Sequence, residues 1–237
     1  MIPAQVNRTA TLVALALSLA CAPAGGSRQN GESTTVTRAD TAAVAPRPAP
    51  TDSNITRADL ARIQGSPSAP LWVIEVSDFQ CPYCKQWHDQ TYNAFVDQFV
   101  KTGKVRLAYV NFPLQSHVHA WPAAEAAMCA GAQGKFWPMH DALFTTQTKW
   151  EALPSPAPVF DSLAQASGVE MRRWRDCVAS GKMKSLIAAD QDRAQRAGAN
   201  ATPSFMIGDK ILAGAQPIED LRRIIDSALV KNKSTTP

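Results

Sequence analysis

Residues 71–84, LWVIEVSDFQCPYC, join an apolar run to two cysteines that stand two residues apart. The first part, residues 71–78, is rich in branched side chains and predicts a buried strand, with Glu75 as an acid in its middle. Bulky residues from Cys84 onward recur at spacings of three and four, which predicts a helix running to about Val100. The cysteine pair therefore lies where a central strand ends and a helix begins.

A second apolar run and a set of helical segments follow this unit. Residues 105–112, VRLAYVNF, predict another buried strand, and the strand, helix, strand order predicts parallel pairing. Several segments between residues 120 and 197 show helix periodicity, and most end at glycine. Residues 201–214, ATPSFMIGDKILAG, predict a hairpin, and a closing helix begins near Pro217. The sequence predicts an α/β fold with a central mixed sheet and an all-helical insertion, at about residues 116–180, between the second core strand and the hairpin.

The composition limits the classes of partner. The chain has 237 residues, 45% of them hydrophobic, which is enough for a sizeable core. Its formal net charge is +4, and it contains no basic block interleaved with aromatic residues. Charge therefore does not support nucleic-acid binding.

The start of the chain is built differently from the rest. Residues 1–22 resemble a bacterial export signal, with an early positive charge at Arg8, an apolar run and small residues at the end. Residues 23–56 carry almost no large apolar side chain, which predicts a disordered tether. One folded domain is expected over residues 57–232, followed by a disordered tail at 233–237. An exported protein, in the periplasm or otherwise outside the cytoplasm, follows from this organisation.

The end of the export signal has two interpretations. Cleavage after Ala20 or Ala22 fits the small residues at alternate positions there. The stretch also resembles a bacterial lipoprotein signal, in which Cys21 becomes the lipidated first residue and anchors the protein to a membrane. Ser18 departs from the usual lipoprotein pattern, so both interpretations stay open.

The Cys81 and Cys84 pair has three interpretations: a redox centre, a structural disulfide or a set of metal ligands. A thiol at a helix start meets unpaired N–H groups and the positive end of the helix dipole, which lowers its pKa and makes Cys81 the predicted nucleophile. Pro82 suits the first helical turn, and the inward-facing Cys84 is placed to resolve a mixed disulfide. A zinc site normally needs four ligands, and His117 and His119 lie in a separate loop-like segment, so no metal site is predicted.

Three motifs, in order along the chain, resemble those of a known family. They are SDFQCPYC at 77–84, AAMCAGAQGKFWPMHDALF at 126–144, and Ala201-Thr202-Pro203 before a strand. Over about residues 62–230 the chain resembles the DsbA-like family of exported thiol-disulfide oxidoreductases. The resemblance implies a thioredoxin-like fold with its helical insertion before the hairpin, no cofactor, and substrate proteins that carry thiols or disulfides.

The resemblance also implies roles for particular residues. Pro203 matches the family's cis proline, which faces the cysteine pair, and Thr202 before it is expected to offer main-chain hydrogen bonds to an extended substrate. Glu75 matches the family's buried acid, which exchanges a proton with the resolving cysteine. Pro82 and Tyr83, between the cysteines, are expected to face the substrate. The residues alone leave open a trans proline at a strand entry and a surface glutamate on an edge strand.

Cys129 and Cys177 form a second candidate pair. Both lie within amphipathic helical segments, where no helix start activates them, so a buried structural disulfide across the insertion is expected. Two free buried thiols are the alternative.

The sequence therefore predicts an exported enzyme that exchanges disulfides with substrate proteins through its CPYC pair. We expect a monomeric dithiol oxidase whose pair is reset by an unidentified redox partner. The Pro-Tyr dipeptide does not determine the direction of exchange, so an isomerase or a reductase of the same fold stays open. A non-catalytic thioredoxin-like module that binds a peptide or a metal is the alternative from another class.

Overall fold

The computed structural model describes residues 52–234, without the side chains of residues 232–234. The predicted export signal, Cys21 and the predicted tether up to residue 51 lie outside the described residues, as do residues 235–237 of the predicted tail.

A five-stranded mixed sheet forms the centre of the described domain, in the order β1-β3-β2-β4-β5. Its strands are β1 (Ile63–Gln64), β2 (Leu71–Ser77), β3 (Val105–Asn111), β4 (Ser204–Ile207) and β5 (Lys210–Ala213). β2 pairs in parallel with β3 and antiparallel with β4. Because β2 has a neighbour on each side and helices cover the sheet, most of its apolar run is buried, although Trp72 is 42% exposed. β1 was not predicted, since a two-residue strand has no periodicity.

Helices connect and cover these strands. They are α1 (Ser53–Ala61), α2 (Pro82–Trp87), α3 (Asn93–Phe95), α4 (Ala120–Gly131), α5 (Phe136–Thr145), α6 (Gln147–Trp150), α7 (Ala157–Ala166), α8 (Met171–Ser180), α9 (Lys184–Arg196) and α10 (Ile218–Ser234). The π-helical turn His88–Tyr92 joins α2 to α3, and a second π-helical turn, Val96–Val100, extends α3. Together they form one helical segment, which ends at the predicted position. This segment is the crossover that parallel pairing of β2 and β3 requires.

Both predicted ends of the folded domain need correction. α1 begins at Ser53, inside the segment predicted as a tether, and the Asp52 side chain caps it by accepting the Asn54 N–H at 2.7 Å. α1 packs so closely on α4 that a Cβ added at Gly131 would stand 3.5 Å from the Ala58 backbone. The polar composition of α1 did not indicate a helix, because the order of α1 depends on its packing against α4. At the other end, α10 continues to Ser234, into the predicted tail.

The insertion between β3 and β4 contains a disulfide that links two of its helices. Cys129 on α4 and Cys177 on α8 are joined, with Cα atoms 5.8 Å apart. The Trp174 indole N–H donates to the Ala126 carbonyl at 3.1 Å, next to this link. The disulfide and the indole bond therefore hold α8 against α4.

A buried polar cluster fastens α9 to the sheet. Asp190 on α9 accepts hydrogen bonds from the Arg62 guanidinium and, at 2.9 Å, from the Asn111 side-chain amide at the end of β3. All three side chains are buried. A buried charge is tolerated when it is paired and hydrogen-bonded, so this cluster fixes the position of α9.

Within the described residues, no helix combines the length and the apolar character that crossing a membrane requires.

Candidate active site

Cys81 and Cys84 occupy the start of α2, immediately beyond the carboxyl end of β2. Cys81 is the N-cap residue, with extended backbone angles of φ −71° and ψ 124°, and Pro82 is the first helical residue. The Cys81 N–H donates to the Asp78 carbonyl at 3.1 Å, which closes the turn between strand and helix. Both cysteines are reduced and buried, and Cys84 is fully inaccessible.

The two thiols differ in acidity. The hydrogen bond from the Cys84 thiol is the main reason why the pKa of Cys81 falls to about 6, and backbone N–H groups at the helix start add to it against the effect of burial. Burial raises the pKa of Cys84 well above its usual range. At neutral pH the pair therefore holds one thiolate at Cys81 and one thiol at Cys84.

The loop before β4 faces this pair. The Thr202–Pro203 peptide bond is cis, and the Thr202 carbonyl lies 3.4 Å from the Cys81 sulfur. Both residues are buried. The tertiary structure therefore brings the threonine-proline pair to the nucleophile, although the two are far apart in the sequence.

Glu75 lies in the middle of the sheet. It is fully buried, with Tyr109 of β3 and Phe205 of β4 as its register partners. Burial raises the pKa of its carboxyl group to about 8. Neither carboxyl oxygen has a hydrogen-bond partner among the described residues. Its register partner Tyr109 belongs to the same packed cluster as Cys84.

The segments next to the cysteine pair carry exposed apolar side chains. Tyr83, between the cysteines, is 62% exposed, and Val118, in the loop after β3, is 73% exposed. Pro82 is exposed as well. The dipeptide expected to meet a substrate is thus accessible, whereas Cys81 itself is only 3% exposed.

Two polar residues at the site were not identified from the sequence. Gln147 of α6 donates its side-chain amide to the carbonyls of Phe79 at 2.7 Å and Cys81 at 3.0 Å. Asp78 accepts hydrogen bonds from groups on two different segments. The position of Asp78 beside the CPYC motif was a usable signal, but nothing in the sequence links Gln147 to the site.

The side chains that come closest to forming a metal site do not include the cysteines. His140 Nδ1 lies 2.8 Å from Asp141 Oδ1, and His88 Nε2 lies 3.4 Å from the same oxygen. Within the part of the chain that the structure describes, this is the one group of three such side chains close enough to share an ion. His117 and His119 do not join the cysteines in such a group.

Comparisons with known proteins agree with this geometry. The family model described as Thioredoxin (Thioredoxin_4) matches residues 58–227. "Na(+)/H(+) antiporter NhaA 3" of Salinispora tropica is 33% identical over 72% of this chain, which spans only 25% of the antiporter. "Probable disulfide bond formation protein D" of Bacillus anthracis is 26% identical, over 70% of this chain and 77% of that protein.

A solved structure gives the same fold. Oxidised BdbD from Bacillus subtilis superposes with a TM-score of 0.65 at 22% sequence identity, over 71% of this chain and 92% of that chain. The predicted thioredoxin-like fold with a helical insertion is thus confirmed. The chain belongs to the DsbA-like family of thioredoxin-fold proteins.

Proposed function

We propose that this protein exchanges disulfides with substrate proteins through Cys81 and Cys84, and that it acts as a dithiol oxidase. The observation that carries the proposal is the division of the pair into an acidic thiol at the helix start and a buried, weakly acidic one. The disulfide bond formation proteins among its relatives support the same chemistry.

In the oxidising direction the pair begins as a disulfide. A substrate thiolate attacks the Cys81 sulfur, the bond between Cys81 and Cys84 breaks, and Cys84 leaves as a thiolate that takes up a proton. A second substrate thiol loses its proton and attacks the substrate sulfur of the mixed disulfide, which releases Cys81 as a thiolate. The substrate loses two electrons and gains a disulfide, and the pair gains the two electrons.

The acidity of Cys81 favours this direction. A thiolate of low pKa is a good leaving group, and its stability favours the reduced pair over the disulfide. The pair therefore tends to pass its disulfide on. A redox partner of matching chemistry must then accept the two electrons and restore the disulfide.

Glu75 is proposed as the internal proton donor and acceptor for Cys84. Cys84 is sealed from solvent, so its proton has to come from a neighbouring protein group or an internal water. A carboxyl group with a pKa of about 8 is protonated at neutral pH and can release its proton near that pH.

The remaining site residues are proposed to bind the substrate. An extended substrate segment would pair with the backbone at Thr202, as in the addition of a strand to a sheet edge. Pro203 shapes that edge opposite Cys81. Pro82 and Tyr83 provide exposed surface next to the reacting sulfur.

Turnover and redox equilibrium test the proposal together. The purified protein should oxidise a reduced dithiol peptide, and Cys81→Ser should abolish this, while Ser116→Ala, in the loop before α4, serves as a surface control. Titration against glutathione should give a reduction potential above roughly −200 mV. A value near or below roughly −270 mV would instead indicate a reductase. Faster repair of a scrambled substrate than oxidation of a reduced one would indicate an isomerase, and no turnover would indicate a binding module.

We propose that the activity is located outside the cytoplasm, as a monomer. The export-type character of residues 1–22 supports this location. Fractionation of cells that make the full chain tests it: a lipid anchor at Cys21 predicts membrane association that Cys21→Ser abolishes, and simple cleavage predicts a released protein in both cases.

A further inference from the structure

A buried carboxylate lies one turn before the nucleophilic cysteine. The Asp78 side chain is inaccessible to solvent. Its Oδ1 accepts the Gln80 N–H at 2.7 Å, and its Oδ2 accepts the Leu114 N–H at 2.9 Å and contacts His117 Nδ1 at 2.7 Å. Two backbone donors and an imidazole therefore surround this one carboxyl group.

The same contacts fasten the loop after β3 to the cysteine turn. His119 N–H donates to Gln80 Oε1 at 2.6 Å, and Cys81 N–H donates to the Asp78 carbonyl at 3.1 Å. His117 is therefore bound to the residues that directly precede Cys81. Its side chain is 21% exposed, whereas that of Asp78 is inaccessible.

The groups that face His117 favour its charged form. The hydrogen bond with Asp78 is the main reason why the pKa of His117 is raised, and the charges of Asp78, Cys81 and Glu151 act in the same direction against partial burial. The adjacent His119 has a different partner, since its Nε2 contacts the Leu153 carbonyl at 2.7 Å. Electrostatic coupling between two sites is reciprocal, so a Cys81 thiolate that stabilises the imidazolium is itself stabilised by it.

We propose that His117, held by Asp78, is a positioning residue whose positive charge stabilises the Cys81 thiolate and makes the Cys81–Cys84 disulfide more oxidising. The inference rests on the proposed function and names a group that raises the reduction potential of the Cys81–Cys84 pair. The dipeptide between the cysteines, Pro82-Tyr83, carries no positive charge. The loop after β3 supplies that charge from outside the motif.

The charge is present only below the raised pKa of His117. Cys81 is a thiolate above about pH 6. Between about pH 6 and the pKa of His117, the His117 imidazolium and the Cys81 thiolate coexist, and the imidazolium stabilises the thiolate. Above the pKa of His117 the imidazole is neutral and the effect disappears.

The test compares His117→Gln with His117→Arg and with His119→Gln as the matched control. In His117→Gln the equilibrium with glutathione should shift about tenfold towards the disulfide, which corresponds to about 30 mV. The midpoint of Cys81 alkylation should move to higher pH by about one unit, which is the same tenfold change. His117→Arg should restore most of the wild-type equilibrium because it keeps the charge, and His119→Gln should leave it unchanged. The difference between wild type and His117→Gln should vanish at high pH.

Each result decides one point. Equal equilibria and alkylation midpoints in wild type, His117→Gln and His119→Gln would overturn the inference while leaving the exchange activity in place. A difference that persists unchanged at high pH, or that His117→Arg fails to reverse, would show a structural effect of the loop and also overturn it. A wild-type protein that does not exchange disulfides would refute the proposed function instead.

Discussion

The buried acid of the central strand makes a prediction that can be worked through quantitatively. Burial moves the pKa of Glu75 from 4.5 to about 8. Above pH 4.5 the unfolded chain releases this proton while the folded protein keeps it, so the folded state is disfavoured as the pH rises. The free energy of unfolding should fall by about 1.4 kcal/mol per pH unit over this window, and no further above about pH 8.

The variant Glu75→Gln removes the titration but keeps a polar side chain of similar size. Relative to wild type, it should be equally stable near pH 4 and about 3 kcal/mol more stable at pH 7. Urea unfolding of the fully disulfide-bonded proteins at a series of pH values measures the difference. The control is Glu219→Gln on α10, whose side chain is 73% exposed.

Parallel curves for wild type and Glu75→Gln would refute the argument that Glu75 is a buried, proton-binding group in the folded state. The same variant also tests its proposed role in exchange. If Glu75 passes protons to and from Cys84, the variant should exchange disulfides more slowly, with a weaker pH dependence. Wild-type rates at every pH would exclude that role even if the stability result held.

Three further predictions concern the cysteines. Alkylation of Cys81 should reach half its maximal rate near pH 6, because the hydrogen bond from Cys84 lowers its pKa to about 6; a midpoint at the free-thiol value of about 8.5 would contradict this. Cys84→Ser should trap oxidised substrates, whose disulfide the Cys81 thiolate attacks, as mixed disulfides visible on non-reducing gels, and release at the wild-type rate would mean that a thiol other than Cys84 resolves them. Replacement of Cys129 and Cys177 by alanine should lower the free energy of unfolding by about 4 kcal/mol, since the disulfide spans 48 residues; a loss below about 1 kcal/mol in urea unfolding would argue against a constraint on the unfolded chain.

Local pattern was sufficient for the main elements of the fold. The apolar runs of β2 and β3 and the helix after Cys84 could be predicted because strand and helix periodicities are properties of consecutive residues. The redox interpretation of the CPYC pair was equally local, since the position at a helix start activates the first thiol. Glu75 was suspected because an acid is out of place in an apolar strand.

Other features depended on packing between distant segments. The helix α1 is polar in sequence and is ordered against α4, so its composition suggested a tether. The bonds from Gln147 to the cysteine turn join residues of separate segments and have no periodic signature. The same holds for the contact between Asp78 and His117.

The sequence by itself determined the main elements and the reactive motif, because both follow from neighbours along the chain. Only the tertiary structure decided which distant groups surround that motif: the Thr202 carbonyl opposite Cys81, the sealed environment of Glu75, and the imidazole held by Asp78. The acidity of each group depends on its solvent exposure and on the charges and donors within a few ångströms. Those quantities exist only once the chain has folded, so the chemistry of the pair is a property of the fold as much as of the motif.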